Sequence, residues 1–397
     1  MKLNNSSLIF ILSALVALGP LSIDMYLPSI PEIATFFGTK IHQAELTVSI
    51  FFLGFGIGQF IGGPFSDNIG RKPITLIGLI IFAIASLMIT FSTQVEWMIL
   101  FRFFQAVGGG FVTVNASAIV RDQFEASESA KILSSVASIM MIAPMVAPLL
   151  GSFVVKFGEW QYIFAFLTCY AIIMLLAVKI LLNIKTREKS KISISQITKS
   201  YLSVFKHKQG MGYLLSGSFA STGMFAFITK SSYIYIEYFK LSSDIFPLCF
   251  GANVLLMIIL SKTSGKLVHK YHPSKIMKAG LTLNIIAGVM LFTYTSLMTP
   301  AFEVVLGLNI LFVGSLGLVY GNVDACCLSY FPKNAGVANA LFGITKFGLG
   351  ATAGAVIGIV GGNAISGPFA VMMGASILSN LFYYILAQSK SRTLELA

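Results

Sequence analysis

The sequence predicts an all-α polytopic membrane protein of about twelve transmembrane helices in two six-helix repeats. Three observations carry this expectation. Of the 397 residues, 56% are hydrophobic and only 11% charged, whereas a soluble domain carries about 25% charged residues. Apolar runs of roughly 20 residues, enough to cross a bilayer, recur along the whole chain. One long basic segment near the middle divides them six and six. Barrel-type alternation is missing, so the spans read as helices.

The first six spans are predicted at Leu8–Leu27, Gln43–Gly63, Ile74–Ser92, Trp97–Val120, Ile132–Val155 and Gln161–Leu182. The first continues too far to be a cleaved signal and is expected to be retained. The polar segment Asn183–Gln209 follows, with Lys185, Arg187, Lys189, Lys191, Lys199, Lys206 and Lys208. Six more spans are predicted at Met211–Ile236, Ile245–Gly265, Ile276–Ser296, Ala301–Val323, Gly336–Val360 and Pro368–Ala387. The expected organisation is therefore a bundle over 1–182, a cytoplasmic basic linker over 183–209 and a second bundle over 210–397. An internal echo supports a duplication: GGPFSDNIGRKPI (Gly62–Ile74) matches SGKLVHKYHPSKI (Ser264–Ile276), with Asp67 replaced by His269.

The net charge of +12 follows from topology. With the N-terminus inside, three of the 27 Lys and Arg fall outside (Lys40, Lys156, Lys240) and three within spans (Arg102, Lys230, Lys346). The rest gather on the cytoplasmic side, which places both termini there; the expected location is a bacterial inner membrane. No basic–aromatic tract or zinc-finger spacing points to nucleic acid. The four cysteines, Cys169, Cys249, Cys326 and Cys327, form no CxxC and read as buried small hydrophobes, so neither disulfides nor a metal site is expected. No nucleophile motif or P-loop is present, so the chain is not expected to be an enzyme or an ATP-driven pump. The glycines at Gly54–Gly58 and Gly108–Gly110 lie inside spans and serve packing.

Four motifs carry chemistry. In GGPFSDNIGRKP (Gly62–Pro73) the tight loop needs Gly63, Pro64 and Gly70 as turn formers. Asp67 can face the N-terminus of a neighbouring helix, and Arg71 can reach Asp122 at the end of the fourth span, forming a gate; anchoring of topology by Arg71 and Lys72 is the plainer alternative. In RFFQAVGGG (Arg102–Gly110) the arginine costs about 2.5–3.5 kcal/mol within a span and is expected to face the bundle interior, with Gln105 one turn away. In LSIDMYLPSIP (Leu21–Pro31) Asp24 stands near the outer end of the first helix, which Pro28 and Pro31 end. Burial disfavours an ionised carboxylate and a nearby arginine favours it, so Asp24 with Arg102 can load and release a proton. In APMVAPLLGS (Ala143–Ser152), Pro144 and Pro148 remove backbone donors and bend the fifth helix.

The first motif resembles the loop signature of the major facilitator superfamily, and the resemblance places the eleventh helix opposite Asp67. Arg-x-x-Gln-x-x-Gly resembles the fourth-helix motif of proton-driven efflux pumps, and the fifth-helix segment that of drug:proton antiporters, with Ala143 and Ala147 where glycines are usual. With DMYLPSIP, AIVRD (Ala118–Asp122), WQYIF (Trp160–Phe164) and YIYIEYFKLSSDIF (Tyr233–Phe246), nearly the whole chain looks like the bicyclomycin/chloramphenicol-resistance (Bcr/CflA) subfamily. The resemblance implies the major facilitator fold and an antiporter that exports small molecules from the cytoplasm by alternating access. It implies no cofactor, because the proton gradient drives it.

This chain departs from that family at Lys346, near the middle of the eleventh span, and Lys230, in the outer half of the seventh. Mid-span lysines are expected to face the central cavity. With Arg102 they outnumber Asp24, and surplus positive charge favours anionic cargo: an acidic metabolite such as a carboxylate siderophore, or a drug. Gln105, Tyr26, Asn115 and Tyr233 are further cavity candidates; Phe225, Asn253, Tyr320 and Asp324, at the cytoplasmic end of the tenth helix, are weaker. The alternative is a proton-coupled uptake symporter of the same fold for an anionic metabolite. Expected partners are the small-molecule substrate, protons and the lipid bilayer, with the chain acting as a monomer.

Overall fold

The computed structural model describes residues 5–182, 194–332, 334–360 and 364–388. Among them, twelve helices are long and apolar enough to cross a membrane, and no strand is present. They are α1 Leu8–Phe36, α2 Ile41–Ile69, α3 Arg71–Thr90, α4 Val95–Gln123, α5 Ser127–Val155 and α6 Gln161–Leu181. The second set is α7 Lys208–Tyr238, α8 Phe246–Leu267, α9 Pro273–Leu297, α10 Phe302–Ser329, α11 Ala335–Ile357 and α12 Ser366–Ala387. Each of the twelve expected spans has its helix.

Three boundaries differ for readable reasons. Pro28 and Pro31 do not end α1: α-helix runs to Asp24, a 3₁₀ turn spans Leu27–Ser29, and α-helix resumes over Ile30–Phe36. Each proline occupies the first turn of the piece it enters, where its missing N–H costs nothing. Gly63 and Pro64 are not turn formers, because α2 continues through both. Only Gly70 turns the chain into α3, at φ +116°, a conformation that glycine alone adopts freely. Finally, α10 runs past Val323, through a 3₁₀ turn at Leu316–Leu318, to Ser329, which puts Asp324 inside the span.

Part of the basic linker, with Lys185, Arg187, Lys189 and Lys191, lies outside the described residues. Its remainder includes a helix at Ile194–Lys206, whose Val204 belongs to a buried cluster with residues of α7, α9, α10, α11 and α12.

Contacts divide the chain into two compact units, Met1–Ile192 with Tyr235–Leu248, and Ser193–Ile234 with Cys249–Ala397. Tyr235–Leu248 joins the first unit because Ser152 donates to the Ser243 carbonyl (3.3 Å) and Lys156 pairs with Asp244 (3.6 Å). Each unit repeats one pattern of helix contacts. In the first, α1 packs on α5, α3 on α6 and α3 on α4; in the second, α7 packs on α11, α9 on α12 and α9 on α10. The duplication suggested by one loop is thus a property of the packing. Three cysteines are buried, but Cys169 is exposed on α6, against expectation; every third or fourth position of that apolar helix faces outward, and it occupies one of them.

Small residues set the closest approaches, as they do where lipid supplies no hydrophobic drive between helices. Gly54, Gly58 and Gly62 line α2 at one-turn intervals against α4; a Cβ on Gly58 would lie 2.4 Å from the Val107 carbonyl oxygen. Gly151, in the fifth-helix motif, lets α5 touch α1: a Cβ there would fall 1.8 Å from the Met25 carbonyl oxygen. The blocking atom is backbone, so it cannot rotate away. Gly151→Val is therefore expected to destabilise the fold by about 1–3 kcal/mol, seen as a lower thermal midpoint in detergent; an unchanged midpoint would refute the contact. The helix continues through Pro144 and Pro148, so the prolines weaken its ladder without breaking it.

Candidate functional site

Arg102 is the hub of the first unit. It is fully buried and does not snorkel outward. Its Nη1 donates to the Ser22 carbonyl (3.0 Å) and to Gln105 Oε1 (2.7 Å), and its Nε to the Thr47 carbonyl at 3.5 Å. The guanidinium lies over the rings of Tyr26 (4.4 Å), Phe51 (4.3 Å) and Phe164 (5.7 Å). Gln105 passes the network on to Ser86 Oγ at 2.7 Å, and Tyr26 Oη meets Thr47 Oγ1 at 2.9 Å. One arginine thereby ties α1, α2, α3, α4 and α6 together.

The sequence of α1 explains why the arginine goes there. Its α-helical part stops at Asp24, so the last carbonyls of that piece lose their intrahelical donors. Such a C-terminal end attracts a cation, and Ser22 offers one of those carbonyls. WQYIF acts from the other side, where Phe164 packs on Tyr26 at 5.7 Å and Trp160 on Phe164 at 5.9 Å.

Asp24 is buried, 3% exposed, so it is not an acid of the headgroup region. Nor does it pair directly with Arg102: its Oδ1 is without a hydrogen-bond partner among the described residues. The arginine instead holds the backbone two residues earlier, at Ser22. The expected pair is therefore a shared segment, with Arg102 fixing one side of Ser22–Tyr26 and Gly151 the other. Burying a carboxyl group in this way is costly, and an ionisable group inside a span is a functional candidate by default. Sequence reasoning missed a second such acid. Glu45 is buried in α2 at 1% exposure; its position inside an apolar span was the signal.

Tyr26, Gln105 and Asn115 have no exposed surface. They do not line a cavity in this structure. The first two support Arg102, and Asn115 Nδ2 donates to the Phe111 carbonyl of its own helix at 2.8 Å.

At the α2–α3 turn, Arg71 joins two acids. Its Nη2 lies 2.5 Å from Asp67 Oδ1, its Nε donates to Asp122 Oδ2 at 2.9 Å, and its Nη1 donates to Ser66 Oγ at 2.6 Å. Asp67 lies in the last turn of α2, which runs on through Pro64, and Arg71 opens α3 just past the turn at Gly70. Lys72 does something else: its Nζ donates to the Lys179 and Leu182 carbonyls at 3.0 and 2.7 Å and caps the end of α6. In the corresponding part of the second unit, neutral hydroxyls meet instead. Tyr213 Oη donates to Ser274 Oγ at 3.0 Å, and Ser274 Oγ lies 2.9 Å from Tyr383 Oη.

In the second unit, Lys230 is buried at 6% exposure and does not reach an interface; its Nζ lies 5.6 Å from the centre of the Tyr233 ring. Tyr233 begins a π-helical turn, Tyr233–Tyr238, a feature frequent at functional sites. Lys346 sits over the rings of Phe347 (4.8 Å) and Phe342 (5.5 Å), and Phe347 stacks on Phe225 at 5.2 Å. Asp324 and Lys346 stand on α10 and α11, two helices that meet α7 at Gly217. Asn253 accepts from Asn309 Nδ2 at 3.1 Å, a bond between α8 and α10. The acids therefore redress the balance of charge within the spans: Asp24, Glu45 and Asp324 now stand against Arg102, Lys230 and Lys346. Only the second unit keeps a positive surplus, two lysines against one aspartate. Among the described residues, no group of three or more His, Cys, Asp or Glu side chains could hold a metal ion.

The family model of the Major Facilitator Superfamily matches residues 12–355. A bicyclomycin resistance protein homolog of Haemophilus influenzae is 31% identical over 97% of this chain and 98% of its own length. An uncharacterized MFS-type transporter, YdgK, of Bacillus subtilis is 30% identical over 97% and 96%. The multidrug resistance protein MdtL of Salmonella heidelberg is 26% identical over 95% and 94%. Among solved structures, a bacterial homolog of the human lysosomal transporter Spinster superposes with a TM-score of 0.76 at 13% identity, covering 99% and 98% of the two chains. The E. coli xylose transporter XylE gives 0.71 at 16% identity over 95% and 97%. These two show the shared fold.

Proposed function

The chain belongs to the Major Facilitator Superfamily, a family of multi-pass membrane transporters for small molecules, and from that premise we infer that it is a proton-driven exporter of acidic small molecules from the cytoplasm. The observation that carries this reading is Asp24. It is a buried carboxyl at the break inside α1, on a segment held by Arg102 and against Gly151. A carboxyl that is alternately buried and opened to water can take up a proton on one side and release it on the other. The names of the relatives, bicyclomycin and multidrug resistance proteins, support the outward direction. Lys230 and Lys346 support the acidic cargo, a carboxylate siderophore being one such molecule, through the surplus charge of the second unit. The Asp67–Arg71–Asp122 cluster is the gate on the cytoplasmic side, in an inner membrane with both termini cytoplasmic. No cofactor takes part, and a monomer suffices.

The test begins with the compounds that disappear from the medium when the gene is deleted. The compound so found should accumulate in inside-out vesicles when their interior is made acid, and a protonophore should abolish the accumulation. Accumulation confined to right-side-out vesicles would make the protein an uptake symporter and end the export reading.

A further inference from the structure

Asp324 and Lys346 are charged side chains inside two neighbouring spans of the second unit. The packing of α7 brings their two helices together. A Cβ on Gly217 would lie 2.6 Å from Val323 Cγ1 and 3.2 Å from Phe342 Cε2, so α7, α10 and α11 meet at this glycine. Asp324 follows Val323 in the chain, and Lys346 stands one helical turn beyond Phe342.

The pair is also open. Asp324 is exposed and Lys346 half-buried. One turn before Asp324, a Cβ on Gly321 would meet nothing within 4 Å, and the same holds for Gly348, two residues after Lys346. Charged groups exposed within a span face a water-filled approach, because lipid contact would cost several kcal/mol. The Lys346 ammonium has aromatic faces at Phe342 and Phe347. A lysine is a compact charge on a flexible stem, so it can turn from one carboxylate to another.

We propose that Lys346 is the anion-binding residue of the second unit and that Asp324 is its resident counter-ion, which a carboxylate of the cargo displaces. The proposal rests on the acidic-cargo reading above and adds a selectivity device to it. A neutral molecule gains nothing by separating the pair. A cation is drawn by Asp324 but repelled by Lys346. Only a solute with its own carboxylate replaces what it removes, which is discrimination by an internal competitor.

The experiment uses the purified full chain in lipid nanodiscs, without any gradient, so its outcome does not depend on transport direction. Citrate is the tricarboxylate probe and tetraphenylphosphonium the cationic one. Wild type is expected to bind citrate, and Asp324→Asn to bind it roughly five- to tenfold tighter, a usual size for coupling between linked sites. Lys346→Gln should lose citrate binding, and the double variant should lose it as well. Asp324→Asn is nearly isosteric, and the thermal midpoint of each variant verifies folding. If Asp324→Asn leaves citrate affinity unchanged or weakens it while wild type binds, the counter-ion idea fails and the acidic cargo stands. If wild type binds tetraphenylphosphonium and not citrate, the acidic-cargo reading fails and the proposal with it.

Discussion

Arg102→Ala is expected to lower transport by about 100-fold at equal membrane abundance. The loss leaves the Ser22 carbonyl and Gln105 Oε1 without the donor they share, at ~1–3 kcal/mol for each buried group so orphaned. It also removes a desolvated cation from the faces of Tyr26 and Phe51, a contact of ~2 kcal/mol. About 2.7 kcal/mol lost in the transport-competent arrangement already gives that factor. The α1 segment carrying Asp24 would no longer be positioned, so proton uptake should fail together with cargo movement. Arg102→Lys should not restore activity, because an ammonium cannot hold two acceptors in a fixed fork while lying flat between rings. Ser86→Ala, which removes the outer bond of Gln105 and the local bond from Ser86 to the Phe82 carbonyl, should cost less than about tenfold, in line with ~1 kcal/mol for a hydrogen bond. Vesicle uptake of the exported compound, normalised to protein by immunoblot, measures all three. Full activity of Arg102→Lys would show that charge alone suffices and would sink the hub argument.

Arg71→Ala is expected to have the second largest effect, about tenfold on transport, which is ~1.4 kcal/mol. Arg71 holds Asp67, Asp122 and Ser66 at once. The side chains are 16%, 38% and 15% exposed for Arg71, Asp67 and Asp122, so solvent screens the pairs and each alone contributes little. A network is different, because one ordered arginine serves two acids. Asp67→Asn and Asp122→Asn should therefore be non-additive in a double-mutant cycle. The neighbouring lysine separates a gate from a topology anchor. If the positive charges matter only for orientation, Arg71→Ala and Lys72→Ala should have equal effects. If Arg71 is a latch, Lys72→Ala should lower the thermal midpoint through the lost α6 cap and leave transport per folded molecule nearly unchanged. Equal losses of transport in the two variants would refute the latch.

The sequence reading found Arg102, Gln105, Arg71 and Asp122 because each breaks a local rule. A charge or amide in an apolar run is conspicuous, and a motif at fixed spacing tells which helix end it occupies. The same reading misjudged Pro28, Pro31 and Pro64, since a proline in the first turn of a new helical piece or at a bundle end is tolerated where an isolated helix would stop. It passed over Glu45 and placed Asp324 at a helix end, because hydropathy averages over a window and smooths single acids near span boundaries. It also joined Asp24 to Arg102 directly, whereas the structure joins them through backbone.

By itself, then, the sequence determined the solvent, the number of spans, the division into two sets of six and the residues too polar to be there without cause. These follow from composition and periodicity, which are local and additive along the chain. Tertiary structure alone decided partners: which carbonyl Arg102 takes, which glycine lets α5 touch α1, and that the helices of Asp324 and Lys346 meet at Gly217. In lipid, helix association depends on close steric fit and a few hydrogen bonds, not on burial of apolar surface. Such contacts join residues far apart in the chain, and no periodicity records them.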